Sequence, residues 1–375
     1  MKPFDLSKLR KNIGKNIEGI SFGFTKPTVW FSSGCYALNW LLTQDFNKAF
    51  PLDGKINMLA GSSGSGKSYI CSGNVVKDAL RQNVPVVLID TEDRLDETWM
   101  RNIGIDPENP LLQRLQTNSI ENVMQIVSMT AKDYKEQNDG VPLEEQSGLL
   151  FVIDSLGALY ANDEIQRFGE GEMSMTDGMR RAGAITKMVN NILSNIASTK
   201  MGCMVTNHVY ATTDMYSDDV IPGGQKLIFL TTQILQMNKL KLKAKDVEGG
   251  IEGASDSDVV GIRSKCKVYK SNWNKCFETV EVQIPYTTGM NPYSGLFDLF
   301  EAKGVLVKDG NQYVYKSPKD GKEVFKKFRK NITNEDYDLL MKEFMEASKT
   351  EKTVDEILKE AENKKISSTE SEDAE

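Results

Sequence analysis

Ile56-Asn57-Met58-Leu59-Ala60-Gly61-Ser62-Ser63-Gly64-Ser65-Gly66-Lys67-Ser68 decides how the rest of the chain is read. Ile56 to Ala60 is a short apolar strand, and Gly61 to Ser68 fits the spacing GxxxxGK[ST] without deviation. Glycines at that spacing let successive backbone N–H groups turn inward around a phosphate, and a helix opening at Lys67 adds positive potential at its N-terminus. Gly61, Ser62, Ser63, Gly64, Ser65 and Gly66 would cradle a polyphosphate. Lys67 would reach its β- and γ-phosphates, and Ser68 would offer a hydroxyl to Mg²⁺. A merely structural Gly/Ser turn needs neither the strand before it nor the helix after it.

Outward from this loop the pattern alternates. A helix is expected over Lys67 to Arg81, and strands over Val84 to Asp90, Leu149 to Asp154 and Gly202 to Asn207. Short, wholly apolar strands separated by helix-length segments imply a mostly parallel sheet covered on both faces. Ligands of such sheets bind beyond the carboxyl ends of the strands. Asp154 ends one strand, where a nucleotide-hydrolysing fold needs a carboxylate for its magnesium shell, although a strand-end Asp also serves as a helix cap. Glu92, just past another strand end, is the candidate for orienting and polarising an attacking water, with Asp90 as its competitor. His208 follows a third and is the chain's single histidine; it reads as a γ-phosphate sensor or as a structural residue.

Composition narrows the classes. The 375 residues carry 46 Lys and Arg against 53 Asp and Glu, a net charge of −7, which excludes a globally basic nucleic-acid binder but not a local patch. Five scattered cysteines without a CxxC, beside one histidine, exclude a Cys/His zinc site. The start lacks an apolar signal core, and no apolar run approaches the roughly 20 residues that span a bilayer, so a soluble, cytoplasmic protein with no membrane partner is expected.

At the flanks, Leu6 to Ile17 reads as a short basic helix and Ala37 to Phe50 as an amphipathic one. Lys239, Lys241, Lys243 and Lys245 alternate with Leu240, Leu242 and Ala244, the period of a strand with one solvated lysine face. Phe277 to Tyr286 is a further strand. Lys316, Lys319, Lys322, Lys326, Lys327, Arg329 and Lys330 against Asp320 and Glu323 make a basic run, read either as a patch for duplex DNA or as a solvated surface. Residues 366–375 carry acids and no base, the composition of a disordered end.

Taken together, these strand endings resemble the RecA family of strand-exchange ATPases, and most closely the phage UvsX-type recombination proteins. The resemblance runs from about Ala37 to Ala347 and includes Gly61–Ser68, Leu88-Ile89-Asp90-Thr91-Glu92, Val152-Ile153-Asp154-Ser155, Asn207-His208, Pro222-Gly223-Gly224-Gln225-Lys226 and Gly289 to Leu299. It implies ATP and Mg²⁺ as cofactors, Glu92 as hydrolytic base, and His208 as sensor where RecA proteins generally have Gln. Asp96 and Trp99 match the positions at the adenine edge and face. Segments 162–177 and 209–224 are implied to line a filament axis, with Arg180, Arg181, Gly223, Gly224, Gln225 and Lys226 toward DNA. Lys270 matches a basic residue that enters a neighbour's ATP site; Asn272 stands where a second would be, and Lys275 is its nearest substitute.

The organisation that follows is a subunit-contact element at 1–36, a RecA-like P-loop ATPase core at 37–288, a small α+β domain at 289–348 and a charged tail at 349–375. The function implied is ATP-dependent strand exchange: filaments on single-stranded DNA, pairing with homologous double-stranded DNA, and loading by single-strand-binding and mediator proteins, in a host cytoplasm if the source is viral. A hexameric helicase on the same core, or a non-hydrolysing ATP- and DNA-binding scaffold, are the alternatives.

Overall fold

A computed structural model describes residues 4–16, 26–172, 174, 176–210, 219–247, 253–318 and 320–350. The chain divides into two units, Met1–Gly295 and Leu296–Glu375. The first begins with α1 (Leu6–Asn16), a helix without a buried residue. Strands β1 (Trp30–Phe31) and β2 (Phe50–Pro51) pair antiparallel, with α2 (Tyr36–Thr43) between them. The helix expected to reach Phe50 stops at Thr43. Gln44 turns to φ 60°, and the buried Asn39 amide donates to the Phe46 carbonyl at 2.7 Å, tying the following loop back on the helix.

The remaining elements alternate. They are β3 (Ile56–Gly61), a π-helical turn over Tyr69–Val75 running into α3 (Val76–Arg81), β4 (Val86–Asp90), α4 (Glu97–Asn102) and β5 (Leu112–Gln116). Next come α5 (Ile120–Gln137), β6 (Leu149–Asp154), α6 (Asn162–Gly169), α7 (Asp177–Ile196), β7 (Met201–Asn207) and α8 (Gly224–Leu230). Finally β8 (Gln233–Lys243), β9 (Val259–Lys270) and β10 (Thr279–Pro285) complete an eight-stranded sheet of order β10-β9-β8-β3-β7-β6-β4-β5. Pairing is parallel from β8 through to β5 and antiparallel where β9 and β10 join. This is the α/β, mostly parallel sheet expected.

Every residue of β3, β4 and β7 is buried, as a sheet clothed on both faces requires. On one face Met58, Ile89, Ile153 and Val205 pack with Val123 and Val127 of α5 and Met188, Val189 and Ile192 of α7. Registers Ala60 with Asn207, Ile153 with Val205 and Asp90 with Asp154 bring the carboxyl ends of β3, β7, β6 and β4 level along one edge. The sequence reading did not anticipate β5, whose edge position leaves Leu112, Arg114 and Leu115 only half-buried, nor the twelve-residue β9. The lysine strand exists, but it ends at Lys243, Lys245 falls in a 3₁₀ turn, and Leu240 is itself exposed. Segment 162–177, expected to line a filament axis, contains the helix α6; Met173, Met175 and residues 211–218 lie outside the described residues, as does the tail from 351 on.

In the second unit α9 (Leu296–Ala302) and α10 (Asn334–Thr350) accompany an antiparallel sheet of β11 (Leu306–Asp309), β12 (Gln312–Lys316) and β13 (Glu323–Lys327), the small α+β architecture expected. Phe300, Leu306, Tyr315 and Leu340 form its core. The basic run is compensated: Lys326 pairs with Asp309, Lys327 with Asp336, Arg329 with Asp298 and Lys322 with Asp320. Three of those carboxylates lie outside the run in sequence, so the fold removes much of the positive patch the composition suggested.

Candidate active site

At the level edge of the sheet, the turn after β3 needs its glycines. A Cβ on Gly61 would lie 2.2 Å from the Met237 carbonyl oxygen, and Gly66 sits at φ 96°, a conformation that costs an L side chain strain. The loop and the helical turn after it open onto a cavity of about 1460 Å³, lined among others by Lys67, Ser68, Glu92, Trp99, Asp154 and His208. Strand ends scattered between positions 61 and 208 thus converge on one space.

Lys67 folds back on its own loop, donating to the Gly61 and Ser62 carbonyls at 2.9 Å each. Burial pulls its pKa down, Asp154 and Glu92 pull it up, and Lys239 lowers it further. Lys239, read from the sequence only as part of a solvated strand face, stands beside the loop: a Cβ on Gly64 would lie 3.1 Å from its ammonium, because β8 runs on past the end of β3. Asp154 is buried, accepting from Ser72 Oγ at 2.7 Å and from Thr206 Oγ1.

Glu92 is held at both oxygens. Oε1 accepts from Ser155 Oγ at 2.6 Å and stands 3.3 Å from His208 Nε2, while Oε2 pairs with Arg94 at 2.9 Å. Burial raises its pKa, but the Ser155 hydroxyl, the Arg94 charge and His208 outweigh it, leaving the carboxyl below its ordinary value. Asp90, the competitor, lies below the cavity: it is 1% exposed, pairs with Arg114 at 2.7 Å and accepts from the N–H groups of Glu92, Arg94 and Leu95. It therefore builds the turn that presents Glu92.

Burial raises the Asp90 pKa, and Arg114 with those N–H groups more than reverses it. A carboxyl depressed in the folded state stabilises fully above its unfolded value, about pH 3.9, and loses that stabilisation as the pH falls through the folded one. Asp90→Asn should therefore cost about 3 kcal/mol at pH 7, the scale of a broken buried pair. The gap from wild type should narrow below pH 3.9; urea unfolding at pH 7 and at about pH 3 measures it, and an unchanged gap would refute the assignment.

Asp96 caps α4, accepting from the Trp99 N–H at 2.7 Å, and Trp99 is half-buried on the cavity wall. Tyr69 and Tyr286, which the sequence reading missed, also line it; the Tyr69 hydroxyl accepts the Met290 N–H at 3.0 Å and so brings residues 289–290 to the site. Next to His208, Asn207 Nδ2 donates to the Pro222 carbonyl at 2.9 Å, and Tyr210 and Val220 exchange both backbone hydrogen bonds.

The residues expected at DNA lie apart from the cavity lining. Gly223 and Gly224 take φ 105° and 78° ahead of α8, and Gln225 and Lys226 are exposed on its first turn. Arg180 is exposed beside Asp177, whereas Arg181 is committed to the buried Glu164 and stacks over the Tyr160 ring at 4.1 Å. Lys270 Nζ donates to the Ile228, Phe229 and Thr231 carbonyls at 2.8, 3.0 and 2.6 Å. Asn272 and Lys275 are exposed.

The site fits its expected ligands. Among the described residues Ser65 Oγ is buried in the loop without a hydrogen-bond partner, and the glycine geometry leaves the interior of the loop to a phosphate. One hydroxyl and one carboxylate, Ser68 and Asp154, are the sparse oxygen set that suits Mg²⁺, which keeps waters and phosphate oxygens as its other ligands.

A glycine-rich phosphate loop after a central strand of a mostly parallel sheet, with carboxylates at and just past the ends of two further strands of that sheet, defines a P-loop nucleotide-binding protein. The profile of the RecA N-terminal domain matches residues 6–291, and the chain belongs to the RecA family. It is 25% identical to protein RecA of Heliobacterium modesticaldum over 284 residues, covering 74% of this chain and 73% of that protein. It is 26% identical to protein RecA of Mycoplasmopsis pulmonis over 287 residues, covering 76% and 75%, and to that of Latilactobacillus sakei over 321 residues, covering 84% and 81%. Among the described residues no helix is long and apolar enough to cross a membrane.

Proposed function

We propose that this protein is an ATP-dependent DNA strand-exchange recombinase of the phage type, which forms filaments on single-stranded DNA and pairs it with a homologous duplex. The observation that carries the reading is the meeting of Lys67, Glu92, Asp154 and His208 in one cavity, with His208 two residues before the Tyr210–Val220 neck of a segment expected at DNA. His208 itself supports the phage branch.

In this reading Lys67 leaves the loop carbonyls for the β- and γ-phosphates, and Ser68 and Asp154 hold Mg²⁺, which would neutralise charge on those phosphates. Glu92, oriented by Ser155 and Arg94, positions the attacking water and draws its proton. His208 donates to the γ-phosphate and loses that bond after hydrolysis. The change passes through Asn207 and its bond to the Pro222 carbonyl to the residues expected at DNA, Gly223 to Lys226, which neutralise backbone phosphates with Arg180, and with Arg181 once it leaves Glu164. Lys270 serves the ATP site of the neighbouring subunit, and the cytoplasm is where such a protein works.

The test is strand exchange between a labelled single strand and a duplex with ATP and Mg²⁺, against a fully heterologous strand. Exchange only with the homologous strand is expected. Duplex opening without regard to homology would replace the reading with a helicase, and no reaction with either strand would replace it with a scaffold.

A further inference from the structure

The cavity must admit a polyphosphate although three of its lining residues, Asp78, Glu92 and Asp154, are carboxylates, of which Asp78 is paired with Arg81. We infer that Arg94 makes this possible: its guanidinium pairs with Glu92 and cancels that carboxylate's repulsion of the terminal phosphate, so that Arg94 is a positioning residue for ATP acting through Glu92. The inference rests on reading the cavity as an ATP site, and it gives Arg94 a part in nucleotide binding beyond orienting Glu92 for hydrolysis.

Three observations carry it. First, Arg94 lines the cavity and is anchored for the task, since its backbone N–H donates to the buried Asp90 at 3.1 Å while its side chain, 70% exposed, reaches Glu92 Oε2 at 2.9 Å. Second, the other cations near the loop do not pair with Glu92, and Lys67 is expected at the phosphates themselves. The Lys67 ammonium lies on the Gly61 and Ser62 carbonyls, and Lys239 approaches the loop at Gly64 without lining the cavity. Third, Ser155 and His208 engage only Oε1, which leaves Oε2 to Arg94. The charged and titratable groups around Glu92 are then Arg94 from its own turn, His208 from the end of β7, and Lys67 and Asp154 from the ends beside it. Without Arg94 a terminal phosphate would face a bare carboxylate at short range. ADP, which lacks that phosphate, would not.

The test is binding of the non-hydrolysable analogue adenylyl imidodiphosphate and of ADP, each with Mg²⁺, to the full chain. Arg94→Ala should weaken the triphosphate analogue about tenfold, the scale of one modestly screened charge pair, and ADP by less than about twofold. Arg94→Lys, which keeps the charge, should recover most of the loss. The double variant Glu92→Gln/Arg94→Ala should bind the triphosphate as well as Glu92→Gln alone, because with Glu92 neutral there is nothing left to cancel. Equal losses for both nucleotides would overturn the inference, as would a double variant as weak as Arg94→Ala, which would mean that Arg94 contacts phosphate itself. Wild-type protein that binds neither nucleotide would overturn the ATP reading and this inference with it.

Discussion

Glu92→Gln is expected to lower ATP turnover about 10³-fold while leaving nucleotide binding intact, the range for removing one positioned general base. The amide keeps the shape of the side chain and an oxygen for the Ser155 hydroxyl, which donates to Glu92 at 2.6 Å in the wild type, so the change removes the charge and the basicity but not the anchor. Filaments on single-stranded DNA should form with ATP and persist, since the step that dissolves them is gone. Steady-state phosphate release and filament lifetime read the two halves separately. Turnover within about tenfold of wild type would remove Glu92 from the role of base. Asp90 would be a poor replacement, buried beneath the turn and paired with Arg114.

Gly61→Ala is expected to lower unfolding stability by about 3 kcal/mol, the upper range for forcing an extra methyl into a packed core, and to abolish nucleotide binding. The added carbon would sit 2.2 Å from the Met237 carbonyl and 2.8 Å from Ser65 Oγ. A carbonyl held in a sheet cannot swing aside as a side chain can, so β3 must part from β8 at the point where the loop begins. Gly183→Ala is the matched control, because it lies in α7 and a Cβ there meets nothing within 4 Å. A Gly61 variant with wild-type melting behaviour and ATP affinity would show that the strand end yields more readily than its geometry indicates.

Much of the fold was legible because burial on both faces writes strands as continuous apolar runs: VVLID at 86–90 and LLFVID at 149–154 need no partner to be recognised. β5 was not, since LQRLQ at a sheet edge is half-exposed and carries no clear period. The site was legible wherever a residue ends a strand, as with Asp154 and the turn that bears Glu92. Residues that reach the cavity from a distance were not. Arg94 and Tyr69 occupy helical or turn positions without a pattern of their own, and Tyr286 follows a strand that is antiparallel to its neighbour. Charge was the least legible quantity. The run from Lys316 to Lys330 is strongly basic as a string, yet Asp298, Asp309 and Asp336 come from outside it to meet its cations.

An ammonium group has three hydrogens, and Lys270 spends all three on the carbonyls at the end of α8 and just beyond it. A side chain so engaged has no valence left for a phosphate on another molecule. If Lys270 is to serve a neighbouring subunit, the last turn of α8 must first surrender it, and the helix end and the neighbour's nucleotide become rival claimants to a single cation.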